Sequence, residues 1–217
     1  FGKLSRTPIP VQIIKSIKDL VSQFMGKYTF IDLFSGCGGF SLGLKKAGFL
    51  ELASIDFNPE AVLVFRSNFP EVPYVLEKDL KEFPPKKLAE MLSVDHVDLI
   101  VGGPPCQGFS TVRQVDGSNS GDRLVDDDRR ELFYELLNYV EYFQPKIFIM
   151  ENVPGIRSAV GGHFFTQVQM EARKLGYRVH GEIIRAADYG VPQKRRRQLI
   201  IGTQLDMPLF SGYLHLK

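Results

Sequence analysis

Cysteine is scarce: Cys37 and Cys106 are the only two in 217 residues. Two thiols cannot build a disulfide framework or a zinc cage, so no metal site is expected and a reducing compartment is the simpler setting. No apolar run reaches the ~18 residues of a membrane-spanning helix, and no membrane association is expected. No basic-then-apolar signal start follows Phe1, and the missing methionine leaves room for residues upstream. Charge of one sign is also lacking. Lysine plus arginine is 27 against 25 acidic residues, a net charge of +2. That excludes a wholly basic nucleic-acid sleeve but not a local basic groove. What is present is enough apolar material for a core: 44% hydrophobic and 24% charged residues. The length fits one domain with at most a small appendage.

No internal repeat occurs. Short β-rich runs alternate with helical patterns. Strands are expected at Phe30–Phe34, Leu52–Ile55, Pro73–Leu76, Val97–Val101 and Ile147–Met150, with two late ones near Arg178–Ile184 and Gln198–Ile201. Helices are expected at Ser41–Ala47 and Ala61–Ser67, along the stripe from Leu132 to Phe143, and from Phe164 to Leu175. This alternation predicts an α/β domain with a mostly parallel sheet and helices on both faces. Ligands in such sheets lie beyond the carboxyl ends of the strands, at the switch point of strand order. Ahead of the domain, Val11, Ile14, Ile17, Leu20, Val21 and Phe24 form one apolar stripe, with Pro8 and Pro10 at its entrance. It reads as an amphipathic helix packed on the domain, so residues 1–27 are set apart from a domain over 28–217.

After the first strand comes Asp32-Leu33-Phe34-Ser35-Gly36-Cys37-Gly38-Gly39. Glycines there allow a tight turn and a close approach to a ligand at the next helix N-terminus. The alternative is an ordinary βα turn, since this is not G-x-G-x-x-G. Asp56 follows Gly36 by 20 residues, at the end of the second strand, where a carboxylate accepts from ribose hydroxyls. Asp79 could serve an adenine amino group in the same way. No phosphate-gripping lysine accompanies the glycines, which favours a nucleoside without pyrophosphate and points to S-adenosylmethionine.

After the fourth strand, Pro104 and Pro105 fix the backbone just before Cys106. A lone cysteine is usually a small buried hydrophobe, but polar and glycine residues follow this one, in a loop. The 22 residues from Gln107 to Asp128 show little regular pattern, and carry Arg113 and Arg123. They read as a lid over a bound polyanion or as a plain surface loop. After the fifth strand stands Glu151, with Asn152. A carboxyl at the end of an apolar strand suits proton donation to a ring nitrogen; the equal alternative is a structural pair with an arginine. Last comes Gln193-Lys194-Arg195-Arg196-Arg197. Such a run is often a solvated face, yet strand alternation puts Arg195 and Arg197 together on one face.

With these segments in order, the chain closely resembles the cytosine-5 DNA methyltransferase family. The likeness covers Thr29 to Gly202, 174 residues. It implies a Rossmann-like methyltransferase fold and S-adenosylmethionine as cofactor, with S-adenosylhomocysteine as product. It implies that Phe34, Gly36, Cys37, Gly39, Asp56, Phe57, Asp79 and Pro105 bind the cofactor. Cys106 would be the nucleophile and Glu151 the acid at the base's N3 edge. Asn152 would support Glu151, and Arg197 would contact O2 with Arg195 beside it. The implied reaction methylates C5 of cytosine in double-stranded DNA after base flipping, through a covalent cysteine adduct. The implied context is restriction-modification in a bacterial cytoplasm, or a nucleus if the source is eukaryotic. A tRNA-methylating relative and a catalytically silent scaffold are the alternatives. The family's target-recognition domain is expected to be missing from this chain, either carried by a second polypeptide or removed. The N-terminal helix is somewhat similar to the family's last motif, which would make the chain circularly permuted.

Overall fold

The computed structural model describes residues 28–105 and 132–206. The N-terminal stripe, Cys106 and the segment from Gln107 to Asp128 lie outside the described residues.

Seven strands form one sheet in the order β3-β2-β1-β4-β5-β7-β6. They are β1 (Thr29–Leu33), β2 (Leu50–Asp56), β3 (Tyr74–Glu77), β4 (Leu99–Gly102), β5 (Ile147–Asn152), β6 (Arg178–Arg185) and β7 (Arg196–Thr203). The first five pair in parallel. β7 runs antiparallel to both β5 and β6. The expected α/β class holds, and the two late strands form an antiparallel margin.

The helices are α1 (Gly39–Lys46), α2 (Pro59–Asn68), α3 (Pro85–Leu92), α4 (Leu132–Phe143) and α5 (His163–Lys174). Strand alternation sorts the core. Ile31, Leu33, Ala53, Ile55, Ile100 and Phe148 face α3, α4 and α5 in the main cluster. Phe30, Leu99 and Val101 turn the other way, towards Phe40 and Leu44 of α1. The stripe on α4 buries Phe133, Leu136, Leu137, Val140 and Phe143 as its spacing predicts. Helix α3 has no counterpart in the pattern read from sequence. Its eight residues bury only Leu88 and Ala89, too few to show a period. Its signal is Pro85 at the first helical position, where a missing N–H costs nothing.

β1 leads outward through β2 to β3, whereas β4 and β5 lie on its other side. The order therefore reverses between β1 and β4, and a crevice opens beyond their carboxyl ends. Gly102 keeps these strands close: a Cβ there would meet the Leu33 carbonyl oxygen at 2.7 Å. The next amide, Gly103 N–H, donates to that same carbonyl at 3.3 Å.

Beneath α1 lies a buried acidic cluster that the sequence reading did not anticipate. Ser41 Oγ stands 2.8 Å from Asp32 Oδ2 and 2.6 Å from Glu51 Oε1. A hydroxyl has one hydrogen to donate. The second contact therefore takes its hydrogen from a protonated carboxyl. Burial pushes both acids up: Asp32 well above the usual carboxylate range, and Glu51 to about 7.

Candidate active site

The β1 end is held by charge and backbone conformation together. Phe34 and Gly36 both adopt a φ of 56°, which turns the chain sharply out of the strand. Asp56, at the end of β2, locks this turn: its Oδ2 accepts Gly36 N–H at 2.8 Å and its Oδ1 accepts Asn58 N–H at 2.9 Å. Asn58 in turn caps α2, accepting from Glu60 and Ala61. Below, Ser54 Oγ donates to Ser35 Oγ at 2.7 Å. Gly38 is packed under α2, because a Cβ there would lie 2.3 Å from the Phe69 ring.

Two cavities open at this edge. One, of about 280 Å³, is lined by Phe34, Asp56, Phe57, Asp79 and Pro105, together with Lys78 and Lys81. Five of the expected cofactor residues thus share one chamber. The other, of about 460 Å³, is lined by Gly39, Gly103, Glu151, Arg195 and Arg197, with Phe34 again on its wall. Gly36 lines neither cavity but is tied to Asp56. Cys37 lines neither and is exposed; its carbonyl accepts from Asn68 Nδ2 at 3.3 Å. The glycine turn therefore shapes the first chamber through its backbone, and the Cys37 thiol has no visible part in it.

The acid and the arginines lie together. Glu151 pairs with Leu199 across β5 and β7, so Arg197 stands diagonally opposite on the same sheet face. Arg197 Nε lies 2.6 Å from Glu151 Oε1, and Arg195 NH2 lies 3.4 Å from it. The paired-carboxylate alternative for Glu151 is thus realised, and its partners are the two arginines assigned to the site. Ala186 N–H donates to the Arg195 carbonyl at 2.8 Å, which fixes the entry into β7. Charge-assisted contacts of this kind hold a carboxylate in a defined direction.

Asn152 does something other than expected. Strand alternation turns it to the opposite, buried face, away from Glu151. Its Oδ1 accepts Val153 N–H at 2.8 Å, and its Nδ2 makes a long 3.4 Å contact to the Pro104 carbonyl. It ties the segment leading to Cys106 to the end of β5 rather than supporting the acid directly. The sequence reading also missed Gln198 and Arg157, which pack behind the arginines. Gln198 entered only as the first residue of the last expected strand, and its burial is what marks it out.

Among the described residues, no helix is long and apolar enough to cross a membrane.

Comparisons with known proteins agree with this geometry. The family model for C-5 cytosine-specific DNA methylase matches residues 28–214. Type II methyltransferase M1.HphI of Haemophilus parahaemolyticus is 40% identical over 186 residues, covering 82% of this chain and 48% of the relative. Type II methyltransferase M.AquIA of Picosynechococcus sp. is 35% identical over 185 residues, covering 81% of this chain and 71% of the relative. Among solved structures, a DNA modification methyltransferase encoded within an E. coli prophage superposes with a TM-score of 0.70 at 31% identity, covering 84% of this chain and 49% of that one. The chain spans about half the length of M1.HphI and of this prophage protein. With the glycine turn, the prolines, the glutamate and the paired arginines each at the end of a strand, and with this match over most of its length, the chain belongs to the C-5 cytosine-specific DNA methylase family.

Proposed function

We propose that the protein transfers a methyl group from S-adenosylmethionine to C5 of cytosine in double-stranded DNA, as the modification partner of a restriction system. The observation that carries this reading is the clasp of Glu151 by Arg197 and Arg195 in a chamber that shares Phe34 with the chamber of Asp56 and Asp79.

The smaller chamber fits a nucleoside. It offers the Phe34 and Phe57 rings for an aromatic base and two carboxylates for hydroxyl and amino donors. Bound there, S-adenosylmethionine supplies the methyl group that C5 takes up. Asp56 is the ribose acceptor and Asp79 the acceptor for the adenine edge. Each Asp56 oxygen keeps a free lone pair beyond its backbone bond.

The larger chamber takes the flipped cytosine, because C6 is out of reach in a stacked duplex. Cys106 follows directly on Pro105, which lines the neighbouring chamber, and its thiolate adds to C6. Electron density then moves to C5. Glu151 hydrogen-bonds N3 and the amino edge as charge develops, while Arg197 places a cation at O2 with Arg195 beside it. Loss of the C5 proton and departure of the thiolate release 5-methylcytosine. Asn152 acts by holding Pro104.

Target choice belongs to base-reading parts outside the described domain. The setting is the cytoplasm of a bacterium.

The test is trapping on DNA containing 5-fluorocytosine, whose C5 has no proton to lose. Chain, partner polypeptide and S-adenosylmethionine should give an adduct that survives denaturing electrophoresis and disappears in Cys106→Ala. A parallel tRNA arm separates the two nucleic acids. An adduct on tRNA alone would replace the DNA reading with the tRNA one, and no adduct on either would favour a silent scaffold.

A further inference from the structure

Ten consecutive residues, Ala187 to Arg196, are exposed on the way into β7. Arg195 belongs to this stretch and Arg197 follows it. No apolar side chain anchors the strand at this point. Its first buried residue is the amide Gln198, which is fully buried. Gln198 pairs with Asn152 of β5 and Ile183 of β6, on the face opposite the arginines.

A buried amide needs partners, and this one finds an arginine. Arg157, in the short 3-10 turn Pro154–Arg157 after β5, donates from Nε to Gln198 Oε1 at 2.5 Å. Its NH2 donates to the Gly181 carbonyl of β6 at 2.5 Å. Its guanidinium stacks 5.0 Å above the Phe165 ring of α5. Gln198 Nε2 completes its own bonding on the Leu199 carbonyl at 2.6 Å. Gly181 leaves room for this packing: a Cβ there would lie 2.6 Å from Phe165 and 3.1 Å from Gln198 Nε2.

We infer that Arg157 and Gln198 form a clamp that positions Arg195 and Arg197 against Glu151. Arg157 shares its short connection with Glu151, and Gln198 adjoins Arg197, so the clamp joins the two halves of the clasp from behind. Both are positioning residues; neither touches the larger chamber. The functional consequence rests on the methyl-transfer reading, whereas the clamp itself can be measured without it.

The experiment compares hydrogen exchange across residues 191–200 in the full chain for wild type, Arg157→Met, Gln198→Met and Gln198→Glu. Either methionine variant should exchange there about tenfold faster, with the urea midpoint of the whole protein little changed. Gln198→Glu keeps an acceptor for Arg157 and should restore most of the protection. A role in packing alone predicts the reverse order, with buried methionine tolerated and buried glutamate harmful. Unchanged exchange in the methionine variants, or that reverse order, would overturn the clamp. In methyl-transfer assays the methionine variants should lose roughly tenfold in kcat, with the KM for S-adenosylmethionine within about twofold of wild type, as expected for a misplaced catalytic group. A wild type that transfers no methyl group would count against the proposed function, and the exchange result would still decide the clamp.

Discussion

Replacing Glu51 by glutamine should make the protein more stable above neutral pH. Glu51 is 3% exposed and shares Ser41 Oγ with Asp32, while its Oε2 and Asp32 Oδ1 have no hydrogen-bond partner. Among the described residues, the opposite charge near Glu51 is Lys45 Nζ, 4.0 Å away and bonded closely to Glu71. Burial raises the carboxyl from 4.5 to about 7. At ~1.4 kcal/mol per tenfold in proton affinity, that rise corresponds to roughly 3 kcal/mol. Because the folded state holds the proton more tightly than the unfolded chain, this contribution is fully present below about pH 4.5 and is lost as pH climbs through about 7. Asp32 is raised too, so it acts in the same sense. Urea unfolding from pH 5 to pH 8 should show wild-type stability falling by up to ~3 kcal/mol on account of Glu51. Glu51→Gln keeps an acceptor for the serine and has no proton to lose. It should match wild type at pH 5 within about 1 kcal/mol, exceed it at pH 8 by ~1–3 kcal/mol, and show a flatter profile. Parallel pH profiles for the two proteins, or a variant weaker than wild type at pH 8, would refute the argument.

Cys106→Ala should abolish methyl transfer while S-adenosylmethionine affinity, measured by calorimetry, changes little, because the glycine turn and Asp56 lie on other strands; equal loss of both would break that division. Asp56→Ala removes the acceptor that locks Gly36 and Asn58. It should weaken cofactor binding by about tenfold or more, at ~1.5–3 kcal/mol for a charged hydrogen bond; unchanged affinity would remove Asp56 from the site. Gly102→Ala drives a Cβ against the Leu33 carbonyl. It should cost ~1–3 kcal/mol in urea unfolding and slow methyl transfer, and a neutral result would show that β1 and β4 part freely.

Much of the site was legible because strand ends announce themselves. An apolar run that stops in glycine, proline or a carboxyl places the residues that follow at the sheet's edge, which is how Asp56, Asp79, Pro105 and Glu151 were singled out; Arg197 came from the charged run that enters the last strand. Alternation also put Arg195 and Arg197 on one face. The same rule, applied one residue further, would have corrected Asn152: a neighbour of Glu151 on a strand must point the other way. The buried acids were not legible. Glu51 sits in Leu50–Asp56 as a polar residue in an apolar strand, and nothing local shows that α1 will cover it with Ser41. Arg157 and Gln198 stand 41 positions apart and meet only through the antiparallel margin of the sheet. Helix α3 escaped notice because two buried residues do not make a period.

Phe34 lines both chambers, and its backbone is held at a φ of 56°. A residue shared by two linings cannot shift towards one without changing the other. Under the proposed reading, a cofactor in one chamber and a base in the other would rest against the same residue, so a change at Phe34 would be felt by both.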